Sequence, residues 1–134
     1  TPSTNNKYIT DEKGNILMYV NVWGHVNRPG NVLVYDGINI PSLLSHVGGP
    51  KSGAKLSKVL LIRDNKEGNS DTFIINIKDY IDNGNKDTFV KIRPHDTIII
   101  EESMGSYLIS NTRTISTILQ MMNLYINILN LNNE

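Results

Sequence analysis

Three histidines, a run of carboxylates and a glycine pair hold most of the chemical capability of this chain, and their spacing argues against catalysis. His25, His46 and His95 fall on separate predicted elements, without the H-E-x-x-H or H-x-H spacing that brings two imidazoles to one metal. Asp64, Asn65, Glu67, Asn69 and Asp71 carry enough oxygens for calcium. Lys66 and Gly68, however, sit where a D-x-[DN]-x-[DN]-G loop needs ligands, so the run reads as a solvated hairpin tip. The stretch Gly48-Gly49-Pro50-Lys51-Ser52-Gly53 follows a helical pattern instead of opening one and lacks G-x-x-x-x-G-K-[ST], which removes a phosphate loop. No serine stands in a G-x-S-x-G elbow, and no cysteine is present to act as nucleophile or thiolate ligand. The sequence therefore predicts no enzyme, no metal site and no cofactor.

Binding has a better candidate. Tyr19, Trp23 and His25 alternate along one side of a predicted strand, with Arg28 at its turn. Aromatic faces beside hydrogen-bonding groups bind sugar rings, and the same residue types anchor subunit interfaces, so saccharide and neighbouring subunit are both open as occupants. Asp36 and Asp96 read as residues that orient turns.

The elements that would position these residues follow from local pattern. From Ile16 to Val26 the chain alternates, with Met18, Val20, Val22, Gly24 and Val26 predicted inward. Asn27, Arg28, Pro29 and Gly30 predict a tight turn, and Val32 to Tyr35 the returning strand. A short helix is predicted over Ile40 to Val47, ended by Gly48, Gly49 and Pro50. Strands follow at Val59 to Ile62 and Thr72 to Ile77, joined by a polar loop from Arg63 to Asp71. A helical turn from Lys78 to Asn83 stops at Gly84, and two last strands run over Phe89 to Ile92 and Thr97 to Ile100. The expected organisation is a polar segment at 1–15, an α+β domain at 16–102, a connector at 103–111 and a helix at 112–134.

Composition narrows the classes. Thirteen Lys and Arg balance thirteen Asp and Glu, and no basic cluster alternates with aromatics, which leaves no electrostatic footprint for nucleic acid. At 134 residues, 39% hydrophobic and 19% charged, one domain with a real core plus an appended element is the natural reading. The polar lead-in from Thr1 to Asn6 is what removal of a signal peptide leaves, so export is expected.

The appended helix is unusual. Ser116, Gln120, Asn123, Asn127 and Asn130 share a strip roughly 80° wide, while Ile115, Ile118, Leu119, Met121, Met122, Leu124, Tyr125, Ile126, Ile128, Leu129 and Leu131 cover the remainder. About three quarters of the circumference calls for burial, more than docking on one core requires. Ile115, Ile118, Met122, Tyr125 and Leu129 keep the three-four spacing of helix packing between subunits. The stretch from Ile115 to Leu131 also covers roughly 25 Å, close to a hydrocarbon core, so protein and lipid are alternative environments.

Val22, Gly24, Val26, Pro29 and Gly30 within VNVWGHVNRPG, the Gly48-Gly49 pair, Val59 to Arg63 as VLLIR, and Pro94-His95-Asp96-Thr97-Ile98 together resemble the SLBB family, the soluble ligand-binding β-grasp domains. The resemblance covers about Tyr19 to Glu102; Val47 and His95 stand where members often have Ala and Gly. It implies a β-grasp fold with a C-terminal amphipathic helix, and a non-enzymatic, self-assembling envelope protein related to polysaccharide exporters. Copies of itself, polysaccharide and the outer membrane are the implied partners; periplasm, outer membrane or the extracellular space is the implied location. A structural subunit of an extracellular tube, filament or sheath, and a carbohydrate-binding module, are the alternatives.

Overall fold

The computed structural model describes residues 7–110 and 112–132, with side chains at 7–107 and 116–132. The expectations placed on Thr1 to Asn6 and on the Ile115 side chain lie outside the described residues. Two compact units result, Thr1–Glu102 and Ser103–Glu134.

The first unit contains β1 (Tyr8–Thr10), β2 (Ile16–Gly24), β3 (Gly30–Tyr35), α1 (Ile40–His46), β4 (Val59–Asp64), β5 (Ser70–Ile75), α2 (Ile77–Asn83) and β6 (Thr97–Ile100). The strands make one mixed sheet in the order β1-β2-β6-β4-β5, with β3 also on β2. β3 pairs with β2 from Leu17 to Val22, so the opposite edge of β2 is shared: β1 takes Ile16 to Met18, and β6 takes Asn21 to Gly24. β6 runs parallel to β2 and antiparallel to β4, closing two sequence-distant hairpins into one α+β, β-grasp-like layer.

Alternation explains the core. Met18, Val20 and Val22 of β2, Leu61 of β4, Ile75 of β5 and Ile98 and Ile100 of β6 are fully buried, and Ile40, Leu43 and Val47 close over them from α1. Each large side chain so buried is worth about 1.5–3 kcal/mol. Asn39 caps α1, its Oδ1 accepting from the Ser42 N–H at 2.8 Å, and Pro41 presets the first turn. Asn76 does the same for α2 through the Asp79 N–H, and Gly84, left-handed at φ 71°, ends it.

Several expectations need correction. Residues 8–10, assigned to a polar lead-in, form an edge strand because the Asp11 carboxylate ties the turn back through the Lys13 and Asn15 N–H groups. Phe89 to Ile92 is not a strand: Ile92 is buried, and Phe89 and Val90 pack on the core, but β6 already has β2 and β4 at its two edges. The polar loop from Arg63 to Asp71 is shorter, since Arg63↔Asp71 and Asp64↔Ser70 continue the ladder and Asn65 Oδ1 closes the tip by accepting from the Glu67 and Asn69 N–H groups. Ile77, placed at a strand end, begins α2.

The second unit holds α3 (Met104–Ser110) and α4 (Thr112–Asn132). The stretch expected as a connector thus carries a helix, opened by Ser103, whose Oγ accepts from the Ser106 N–H.

Candidate functional site

Burying the even residues of β2 turns Leu17, Tyr19, Asn21 and Trp23 to the other side of the sheet, and register carries that side across its neighbours. Trp23 stands opposite Ile99, Ile99 opposite Leu60, and Leu60 opposite Ile74. The four make an apolar rung across β2, β6, β4 and β5, about 14 Å long at ~4.8 Å per strand. Its two ends, Trp23 and Ile74, are 53% and 54% exposed. Beside it runs a polar rung, in which Asn31 donates to Asn21 Oδ1 at 2.8 Å and Asn21 donates to Thr97 Oγ1 at 3.3 Å. A second apolar patch follows from the Tyr19↔Leu33 and Leu17↔Tyr35 pairs. The banded face offers flat apolar area and amides, the equipment for packing on a partner surface or a sugar face.

His25 and Arg28 do not join Tyr19 and Trp23 there. β2 stops at Gly24, whose φ of 97° breaks the alternation, and a Cβ at that position would overlap the Ile100 carbonyl. β3 begins pairing only at Gly30, so the hairpin is a wide loop over 23–29 in place of the tight turn expected at 27–30. That loop is fastened to the end of α1. Asn27 donates from Nδ2 to the Gly48 carbonyl at 2.7 Å, Arg28 donates from its backbone to Val47 O and from Nη2 to His46 O, and His25 Nε2 lies 2.9 Å from Ser52 O. Gly48, at φ 84°, leaves no room for a side chain beside the Asn27 Cβ. The two sequence motifs, N-R-P-G and the double glycine, are therefore the two halves of one junction.

Asp96 orients its turn, as expected, and does more. Fully buried, it accepts from Arg63 Nε at 3.0 Å and Nη2 at 2.9 Å and from the Arg93 N–H at 2.8 Å. Arg63 also donates to Lys91 O and lies over the Phe73 ring at 5.1 Å, and its hydrogen bonds to the Asp96 carboxylate raise its pKa above the ordinary value. Sequence inspection missed this pair because 33 residues separate its members. The three histidines remain apart, and among the described residues no group of three His, Asp or Glu side chains is placed to hold a metal.

In the second unit the residues named from the helical pattern share the expected face. Ile118, Leu119, Met122, Tyr125, Ile126 and Leu129 of α4 are all exposed in the single chain, as are Gln120, Asn123, Asn127 and Asn130. Ile118, Met121, Met122 and Tyr125, at i, i+3, i+4 and i+7, border an apolar hollow together with Ile126. That spacing is the one at which four side chains form a hole in knobs-into-holes helix packing. Among the described residues no helix is long and apolar enough to cross a membrane.

Hairpin, helix, hairpin and a central parallel strand define a β-grasp-like α+β fold. The family model of the SLBB domain matches residues 19–73, from β2 into β5, and supports an SLBB domain over that stretch. SLBB domains are non-catalytic ligand-binding domains found in polysaccharide export proteins. No curated protein matches the chain.

Proposed function

We propose that the chain is a non-enzymatic, self-assembling cell-envelope protein, related to polysaccharide export components, in which copies gather through α4 and the SLBB domains ring a conduit. One observation carries this reading: a 21-residue helix with no charged side chain after Arg113 presents its apolar residues without cover. At 1.5 Å per residue it is about 31 Å long, and a single stripe along that length serves one neighbour. An apolar arc of about three quarters of the circumference serves two, which favours a ring over an isolated pair. Burial against protein fits the i, i+3, i+4, i+7 hollow, and an amide strip without charge fits a wet surface or lumen.

Export across the cytoplasmic membrane and contact with polysaccharide or the outer membrane belong to the same proposal. The test is deletion of residues 111–134, read by light scattering and negative-stain imaging. The intact chain forms closed rings, and the truncated chain is a folded monomer. A truncated chain that assembles like the intact one overturns the reading. Continuous tubes in place of rings replace it with the sheath subunit, for which the open outer edges of β3 and β5 are a specific support.

A further inference from the structure

The two open edges of the sheet are complementary to each other. Bonded pairs alternate along the β2–β3 ladder, and the Asp36 N–H, donating to Ile16 O at 2.9 Å, fixes their phase. Val32 and Val34 therefore turn their backbone groups toward β2, while Leu33 and Tyr35 turn theirs away from the sheet. The Asn65 N–H, donating to Asn69 O, fixes β5 in the same way: Leu61↔Phe73 is a bonded pair, and Thr72 and Ile74 point outward. Among the described residues none of these four N–H groups has a backbone partner. Asn76, next in that phase, is covered, its N–H donating to Thr88 Oγ1 at 2.8 Å.

Neither edge is defended against another strand by Lys or Pro, the usual devices. β3 reads Gly-Asn-Val-Leu-Val-Tyr and β5 reads Ser-Asp-Thr-Phe-Ile-Ile, each six residues long, with Asp71 as the one charge. Direction suits them as well. β3 opposes β2, β2 runs with β6, and β4 opposes both β6 and β5, so β3 and β5 run in opposite directions. Set beside the β5 edge of one copy, the β3 edge of a second forms an antiparallel ladder with the core faces on the same side.

The side chains select the register. Outward groups must meet outward groups, which restricts the choice to steps of two residues. Placing Ile74 opposite Leu33 and Thr72 opposite Tyr35 sets Phe73 against Val34 and Ile75 against Val32, so apolar side chains meet on both faces. It also continues the rung from Trp23 to Ile74 into Leu33 and Tyr19 of the second copy. A step one way puts Asp71 against Val34, and a step the other way puts Phe73 against Asp36. The chosen register has one adverse opposition, Asp71 with Asp36 just past the ladder, and Arg63 beside Asp71 offsets it.

We infer that the β3 edge of one copy pairs with the β5 edge of another, Leu33 opposite Ile74, and joins neighbouring sheets into one. Each copy then offers one edge to each of two neighbours, the heterologous contact that a ring or a tube requires. A ladder this short is weak alone, so the inference rests on the self-assembly proposed above, in which α4 raises the local concentration of the edges.

The chain has no cysteine, so introduced thiols report the contact cleanly. The opposed Cα atoms of a bonded antiparallel pair are about 5.5 Å apart, within disulfide reach. The full chain carrying both Leu33→Cys and Ile74→Cys is oxidised mildly beside an out-of-register control, Leu33→Cys with Ser70→Cys, and particle size before oxidation is read by light scattering. The matched chain forms covalent ladders joined 33 to 74 about tenfold or more faster than the control, and adding Asp36→Asn speeds it about twofold or more. Equal rates in the matched and control chains overturn the inference, and no gain from Asp36→Asn overturns its register. Absence of ladders from a chain that still assembles overturns the edge contact and leaves the role of α4 standing. Ladders from a chain that scatters as a monomer keep the edge contact and remove that role, and a monomer without ladders overturns both.

Discussion

Ile98 and Ile118 are the same residue in opposite circumstances. Ile98, in the middle of β6, has no exposed surface, whereas Ile118, on α4, is 41% exposed; the contrast extends to Ile100 and Ile128, at 0% and 48%. In the first unit, burial is completed within the chain: β6 lies between β2 and β4, and α1 lies over the sheet. In the second, α4 is apolar over more of its surface than one chain covers. An apolar pattern thus specifies that a residue wants cover, and topology decides whether the cover is intramolecular.

One substitution made in both regions puts that difference to the largest test. Ile98→Asp places a carboxylate among fully buried side chains, where neither water nor a partner compensates it, and the first unit is expected to lose its cooperative melt altogether. Met122→Asp is expected to leave that melt within about 1 °C, since the residue is already 55% exposed in the single chain, while dispersing the proposed assembly, which light scattering reads. Should Met122→Asp unfold the first unit, or leave particle size unchanged, the contrast fails.

A smaller effect probes what completes the sheet's end. Asp96→Ala leaves the Arg63 guanidinium mostly covered and without its carboxylate, and removes the acceptor of the Arg93 N–H. Breaking a buried pair in this way costs about 3–5 kcal/mol. Arg63 keeps 17% of its side-chain surface, so the lower end applies, and chemical denaturation measures it directly. A loss under about 1 kcal/mol assigns the pair to the surface class instead.

Smaller again is the glycine effect at the hairpin. Gly30 opens β3 at φ 149° with open space around it, so Gly30→Val meets backbone strain without a clash and costs about 1–2 kcal/mol. An unchanged denaturation midpoint separates the residue type from its conformation and makes the glycine dispensable.

Legibility in the sequence followed the range of the interactions. Period-two alternation located β2 and its buried face, and the double glycine marked the end of α1, because those signals sit within a few residues of what they specify. Tyr8–Thr10 was invisible because three residues carry no period and their pairing depends on an edge of β2 left over by β6. Phe89 to Ile92 carries the burial pattern of a strand, but burial does not supply a ladder. For the site, Tyr19 and Trp23 fell on the expected face, while a single left-handed residue, Gly24, ended the strand and sent His25 and Arg28 to the α1 junction. The remainder of that face, Ile99, Leu60 and Ile74, is gathered by register between strands far apart in sequence.

The mildest test lies on α4 itself, where apolar arc and amide strip separate two kinds of surface on one helix. Asn127 belongs to the strip with Gln120, Asn123 and Asn130, and the proposed assembly turns that strip to water. Asn127→Asp keeps the shape and adds one charge. At a wet position the carboxylate stays solvated, neighbouring copies repel weakly through screening solvent, and assembly shifts by no more than about 0.5 kcal/mol per subunit. In a dry helix contact the same change desolvates a charge and deprives a facing acceptor of its donor, a loss of several kcal/mol per contact. Sedimentation of the variant at two ionic strengths separates these cases. Intact assemblies at both salts place the strip on water, and dissociation that salt does not rescue places it between helices and reverses the orientation proposed for α4.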